Sequence, residues 1–323
     1  MQGSCLIRAP GFWERDGVAA HLLAPLAAVT ERLAARRVAR PGWRAPVPVI
    51  CCGNAGVGGS GKTPLALDLG ARLLARGRSV AFLTRGYGGR RQAATRVDLR
   101  LHDAAAVGDE ALLLAAVAIT FVAADREAAA RAAIAAGADI LVMDDGLQNP
   151  GLFKDCALLA IDGGVGFGNG RTLPAGPLRE AVGAAARRCR AAVLIGADDA
   201  EALAQLPHGL PVLRAELRPA TEVAGRRLLA FAGIGRPGKF FATLRQAGAL
   251  LAATRGFADH HRFSAGELDA LRRDAAALDA GLVTTTKDFV RLPTTFRQGV
   301  FRFDVRLAWQ APEAVEAMLD TLT

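Results

Sequence analysis

Lysine is nearly absent from this 323-residue chain, standing only at positions 62, 154, 239 and 287 although Lys and Arg together number 40. Aromatic residues are also scarce at 6%, with Tyr87 the single tyrosine, and none alternate with basic residues as a base-stacking platform requires. That scarcity argues against nucleic acid, although a net charge of +9 calls for an anionic partner: a membrane surface or a phosphorylated substrate. The five cysteines (Cys5, Cys51, Cys52, Cys156 and Cys189) form no C-x-x-C pair and are odd in number. Neither a zinc site nor a disulfide framework is expected from them, and a reducing cytoplasm fits. The opening MQGSCLIRAPGFWERDG lacks the basic, apolar, small order of a secretory leader, so export is not expected. Long uncharged runs are missing too. The stretch 17–30 falls short of the ~20 apolar residues that cross a bilayer, so it is not expected to span one.

What the chain does contain is a phosphate-binding pattern. Gly56-Val57-Gly58-Gly59-Ser60-Gly61-Lys62-Thr63 fits G-x-x-x-x-G-K-[ST], between a short apolar run at 47–52 and leucines at helical spacing over 65–74. Glycines let backbone N–H groups wrap phosphate, Lys62 brings a point charge to the β and γ oxygens, and the Thr63 hydroxyl can ligate Mg²⁺. ATP and Mg²⁺ are therefore the expected cofactors. Downstream, apolar strands at 79–84, 120–123, 140–144 and 157–161 alternate with Ala/Leu-rich helices at 109–118 and 127–136. This βαβ order predicts a mostly parallel sheet with helices on both faces.

The run Ile140 to Met143 ends in Asp144 and Asp145, as expected of a strand holding Mg²⁺ opposite the phosphate loop, with Gln148 close behind. Asp109 and Glu110 open a helix. The helix dipole alone favours carboxylates there, but transfer to a hydroxyl also needs a group that accepts the alcohol proton. Two loops carry arginines, Arg85-Gly86-Tyr87-Gly88-Gly89 and the turn through Pro174 and Arg179, and each reads either as a ligand grip or as a structured loop. His260 and His261 lie between Phe257 and Phe263, just before a capping box of Ser264 and Glu267. They can meet the nucleotide site only across a cleft, because a domain boundary is expected near 220. A helix over Val18 to Val38, ending among Arg32, Arg36 and Arg37 and continuing to Arg40 and Arg44, has an apolar body and a basic end suited to an anionic membrane; packing on its own domain is the competing reading.

Taken in order, GNAGVGGSGKTP at 53–64, RGYGG at 85–89, VGDEALLLA at 107–115, MDDGLQ at 143–148, LPAGPLRE at 173–180, AGIGRPGKF at 232–240, FADHHRF at 257–263 and VTTTKDFVRL at 283–292 resemble the tetraacyldisaccharide 4′-kinase family over nearly the whole chain. The resemblance implies an α/β fold: a P-loop NTPase-like α/β/α nucleotide domain over 45–220, a smaller α/β domain over 221–323, and an N-terminal membrane-associating helix within 1–44. It also implies transfer of the ATP γ-phosphate to the 4′-hydroxyl of tetraacyldisaccharide 1-phosphate in lipid A biosynthesis, at the cytoplasmic face of the inner membrane, with no protein partner required. By motif position Asp109 would be the base, assisted by His260. Thr63, Glu110, Asp144, Asp145 and Gln148 would lie near Mg²⁺-ATP, and Arg85, Tyr87, Arg126, Asn169, Arg171 and Arg179 near the lipid head group or nucleotide phosphates. Ser60, Ala111, Asn149 and Thr286 depart from the family pattern, which puts catalytic roles at 149 and 286 in doubt. A partitioning-type ATPase switch would carry a second lysine where Val57 stands, and a kinase of a soluble metabolite would not need the N-terminal helix.

Overall fold

The structure is a computed structural model that describes residues 10–90 and 93–322; Cys5 lies outside them. Thirteen strands are described: β1 Val49–Gly53, β2 Val80–Thr84, β3 Thr95–Arg96, β4 Ile119–Val122, β5 Ile140–Asp144, β6 Cys156–Asp162, β7 Ala191–Ile195, β8 Val212–Pro219, β9 Arg227–Ala232, β10 Leu250–Gly256, β11 Gly281–Thr285, β12 Val300–Phe303 and β13 Val305–Trp309. Nine form one sheet in the order β13-β8-β7-β6-β1-β5-β2-β4-β3, and four form a second in the order β10-β9-β11-β12. Every pair in the small sheet is parallel, and in the large sheet only the two edge strands, β3 and β13, run antiparallel to their neighbours. Strands buried on both faces read as unbroken apolar runs, which is why 140–144 and 157–161 were legible without alternation.

Each sheet has a core on both faces. Leu65, Leu69 and Leu73 of helix α2 (Lys62–Ala75) pack with Ile50, Phe82 and Val193 under the large sheet, while Val49, Leu83, Met143 and Leu159 fill its other side. Phe240 and Leu244 cover one face of the small sheet, and Leu268 and Leu271 the other. Cys51 and Cys52 are fully buried in the large cores, where burial pushes the Cys51 thiol up to about 12. They are packing groups, as small hydrophobes before a phosphate loop should be.

One boundary differs from expectation. The chain returns after the small sheet: β13 pairs with β8, and the C-terminal helix Pro312–Asp320 buries Val315, Met318 and Leu319 against the α2 leucines. The residues assigned to the smaller domain from sequence therefore include a strand and a helix of the larger one. These elements were missed because 305–309 is an edge strand, and its exposed residues blur the apolar run that marks a buried one.

Helix α1, Val18–Val38, follows Phe12 and Trp13 of a short 3₁₀ turn. At 21 residues it is long and apolar enough to cross a membrane by length and composition, contrary to the reading of 17–30 alone. Val18, Leu22, Leu26, Val29 and Leu33 are exposed along one face, whereas Ala20 and Ala27 are buried on the other. One side of the helix thus packs on the domain and the other is apolar and open.

Candidate active site

The phosphate loop runs from the buried end of β1 into helix α2, Lys62–Ala75. Gly61 caps that helix with φ +83°, a left-handed conformation, and a Cβ there would also overlap the Ile195 side chain. Lys62 Nζ donates to Asn54 Oδ1 (3.0 Å) and the Gly58 carbonyl (3.4 Å), and pairs with Asp145 Oδ1 (3.4 Å). Thr63 Oγ1 donates to Asp144 Oδ2 at 2.9 Å. Ser60 Oγ and Asp144 Oδ1 are buried and have no hydrogen-bond partner among the described residues. Buried polar atoms of this kind require an explanation, and an anionic ligand with its cation supplies one. Burial, reinforced by Glu110, pushes the Asp144 carboxyl up to about 7 against the opposing pull of Lys62. A bound cation would reverse that shift.

The five residues expected at the metal fall into two groups. Thr63, Asp144 and Glu110 form the first. Asp145 has φ +54°, is held by Lys62 and, in two hydrogen bonds of 2.9 and 3.2 Å, by Arg179; burial raises its carboxyl, but those two cations bring it below the usual range. Gln148 donates to the Asn54 carbonyl (2.7 Å) and Glu180 (2.8 Å), and its oxygen accepts from Arg179 (3.3 Å). Gln148, expected near the metal, gives its polar atoms to the protein here and holds Arg179 beside the phosphate loop.

Gly108 turns the chain into the helix Asp109–Ala115 at φ +86°, with space for a Cβ denied by the Tyr87 carbonyl at 2.6 Å. That close approach sets the 85–89 loop on the head of the helix. Asp109 is 2% exposed, and its Oδ2 lies 3.4 Å from His260 Nδ1, so the histidine of the small unit does reach the nucleotide unit. His260 itself has φ +56°, and its ring lies 5.3 Å from that of Tyr87, which is exposed at the mouth with Arg85. His261 instead pairs with Glu267 (3.1 Å) and stacks on Phe257, so only one member of the pair faces the cleft. Burial raises the Asp109 carboxyl, but His260, Lys287 and Arg291 outweigh it and hold the group well below the usual carboxylate range.

Three residues expected near the head group or phosphates bond to the protein itself. Arg126 is 2% exposed, donates to the Ala123 carbonyl and feels the charges of Asp145 and Asp144; burial lowers its guanidinium to about 10. Asn169 donates to the Phe12 and Ala175 carbonyls (2.9 Å each), and Arg171 makes a bidentate pair with Asp16 (2.8 and 2.9 Å). Both pin the N-terminal segment to the loop after β6. Of the departures from the family pattern, Thr286 bonds Phe303 and Asp304, and Asn149 closes a turn onto Gly151. Arg291 and Lys287 were missed as site residues. Arg291 donates to Asp109 through Nε (3.0 Å) and Nη2, while Lys287 reaches Glu110 at 3.2 Å. The only signal was their place in the 283–292 motif.

Comparison with known proteins places these features in a family. Residues 19–323 match the family model described as Tetraacyldisaccharide-1-P 4'-kinase. Among curated relatives, the tetraacyldisaccharide 4'-kinase of Gluconacetobacter diazotrophicus is 58% identical over 97% of this chain and 98% of that protein, and that of Rhodospirillum centenum is 51% identical over 98% and 97%. In fold, the chain is similar to LpxK from Aquifex aeolicus, solved in complex with ATP, at a TM-score of 0.78 and 24% identity over 94% of this chain and 99% of that one. With a family match that takes in both sheets and every element of the cleft, the chain belongs to the tetraacyldisaccharide 4'-kinase family.

Proposed function

We propose that this protein transfers the γ-phosphoryl group of ATP to the 4′-hydroxyl of tetraacyldisaccharide 1-phosphate, a step of lipid A biosynthesis, at the cytoplasmic face of the inner membrane. The observation that carries the reading is the meeting of two sets of groups in one cleft. Lys62, Thr63 and Asp144 form a nucleotide site, and Asp109 with His260 forms a carboxylate–imidazole pair beside it.

Phosphoryl transfer asks for positioning and charge neutralisation more than covalent help, because its transition state is loose. The loop amides and Lys62 hold the β and γ phosphates, with Asp145 and Arg179 keeping the lysine head in place until the nucleotide arrives. Thr63 and Asp144, with Glu110 near, are the groups that would hold Mg²⁺, and the bound ion would neutralise charge on the phosphate oxygens. The 4′-oxygen bonds to the γ phosphorus as the bond to the β–γ bridging oxygen breaks, ADP departs, and the hydroxyl proton passes to Asp109. A sugar hydroxyl is a very weak acid, so that proton moves late, and Asp109 need only be ionised and well placed, which its cationic surroundings ensure. His260 orients the carboxylate, and Tyr87 and Arg85 stand at the mouth where a head group enters. Exposed Val18, Leu22, Leu26, Val29 and Leu33 support attachment to the bilayer that holds the acyl chains, and Arg36 and Arg37 in the last turn of α1 suit an anionic surface.

The test is transfer of labelled γ-phosphate from Mg-ATP to tetraacyldisaccharide 1-phosphate in detergent micelles, comparing the natural chain with Lys62→Ala. Labelled lipid that disappears in the variant is the expected result. Folded, ATP-binding protein that leaves the lipid unlabelled would point instead to a switch ATPase or a soluble substrate.

A further inference from the structure

We infer that Arg291 is a positioning residue for the transfer: a guanidinium of the small unit that fixes the Asp109 carboxylate of the large unit in the orientation that faces His260. The inference rests on the roles given above to Asp109 and His260.

The guanidinium is held by two acceptors before it reaches Asp109. Its Nη1 donates to the Gly233 carbonyl (2.8 Å) and to Asp288 Oδ1 (2.9 Å). Asp288 is fully buried and is itself fixed, with Oδ2 accepting from Gly233 N (3.1 Å) and Thr285 Oγ1 (2.7 Å). The small unit therefore builds a rigid socket for Arg291 from the ends of β9 and β11. Out of that socket Nε and Nη2 both point at Asp109 Oδ2, while Asp109 Oδ1 takes the Glu110 N–H at 3.0 Å. Both carboxylate oxygens are thereby aimed, and Oδ2 is left 3.4 Å from His260 Nδ1. The Arg291 side chain is 6% exposed and Asp109 2%, so solvent does little to loosen the arrangement.

Charge alone does not account for it. Lys287 Nζ already lies 3.8 Å from Asp109 Oδ2 and pairs with Glu110, so a neutralising cation is present without Arg291. What only a planar fork supplies is direction: donors to Asp109, to Asp288 and to a carbonyl at fixed mutual angles, which a lysine cannot reproduce. Val290 packs against the apolar cluster around Val107, Leu112 and Val122, so a contact between the units remains when the guanidinium is removed. A loss of activity need not then be a loss of docking.

Full-length natural enzyme is assayed first for transfer to tetraacyldisaccharide 1-phosphate. If it transfers no phosphate, the functional reading fails and takes this inference with it. Given transfer, Arg291→Ala is expected to lower kcat by about 100-fold, the scale set by a misplacement of about 1 Å at a reacting centre, with KM for ATP within about threefold. Arg291→Lys should recover less than about a tenth of the lost activity, and added guanidinium ion should restore part of the kcat of Arg291→Ala without affecting the natural enzyme. Arg291→Lys at natural kcat would overturn the inference, as would a defect confined to KM for ATP or an alanine variant that guanidinium does not rescue. Should Arg291→Ala fail to fold by circular dichroism, Arg291→Lys and Arg291→Gln decide, with kcat close to natural in either one refuting the role.

Discussion

Thr63 Oγ1 donates to Asp144 Oδ2 across 2.9 Å, joining the first turn of the phosphate-loop helix to a strand end 81 residues away. The other oxygen of Asp144 is buried and unpartnered, so the carboxyl prefers its protonated form, with an acidity near pH 7. A folded-state value raised above the unfolded one stabilises the fold below about pH 4, and that contribution is lost as pH rises through 7. In metal-free, nucleotide-free protein, Asp144→Asn should therefore raise Tm by roughly 5 °C at pH 8 and change it little at pH 4; with Mg-ATP supplied, the same variant should lose turnover. Calorimetry at the two pH values checks this; an equal or lower Tm for the variant at pH 8 would refute it.

Asp109 makes a different prediction. Asp109→Ala should cut turnover by about 10²–10⁴-fold, the range of a lost general base. It also leaves Arg291 and Lys287 facing an empty carboxylate site, so some loss of stability should accompany it. Single-turnover transfer at saturating ATP separates the two effects, and an unchanged rate constant in folded variant would remove Asp109 from the mechanism.

Membrane attachment is expected to depend on one face of α1. Leu22→Glu with Leu26→Glu should release the protein from vesicles containing anionic phospholipid, because both side chains are more than half exposed and neither supports the core. Ala20 and Ala27 face inward, so Ala27→Glu should instead harm folding. Flotation of the paired variants tells these apart, and undiminished binding by the double Leu variant would exclude this face as the anchor.

At the far end of the chain, Trp309 Nε1 donates to Asp68 Oδ2 (2.8 Å) on α2, and Arg72 of the same helix bonds Asp68 and Glu316. Truncation after Phe303 should accordingly strip the phosphate-loop helix of its outer cover. The expected outcome is aggregated or nucleotide-incompetent protein; a truncated chain that binds ATP with natural affinity would contradict it.

Much of this was legible because it is local. Gly61, Lys62 and Thr63 announce themselves through chemistry within one turn, and the Ser264–Glu267 capping box forms as its spacing predicts. The span Val18–Val38 and the strand 140–144 agree residue for residue with the sequence pattern. What was not legible depends on distant partners. Arg291 meets Asp109 across 182 positions, and no pattern around either residue encodes that meeting. Asn169 and Arg171 look like ligand grips in a glycine-rich loop, yet their polar atoms go to Phe12 and Asp16 more than 150 residues earlier. The return of β13 to the large sheet is invisible for the same reason, since its register is set by β8 and not by its own sequence.

That return also fixes the order in which the molecule can be completed during synthesis. Strand β13 and the Pro312–Asp320 helix leave the ribosome after the whole small unit, and they supply Leu307, Val315, Met318 and Leu319 to the core beneath Leu65, Leu69 and Leu73. The whole small unit must emerge before the face of the phosphate-loop helix can be sealed. The phosphate loop, which lies in the first fifth of the chain, is thus among the last parts to gain its full packing, and an interrupted translation product would carry that loop without the cover that supports it.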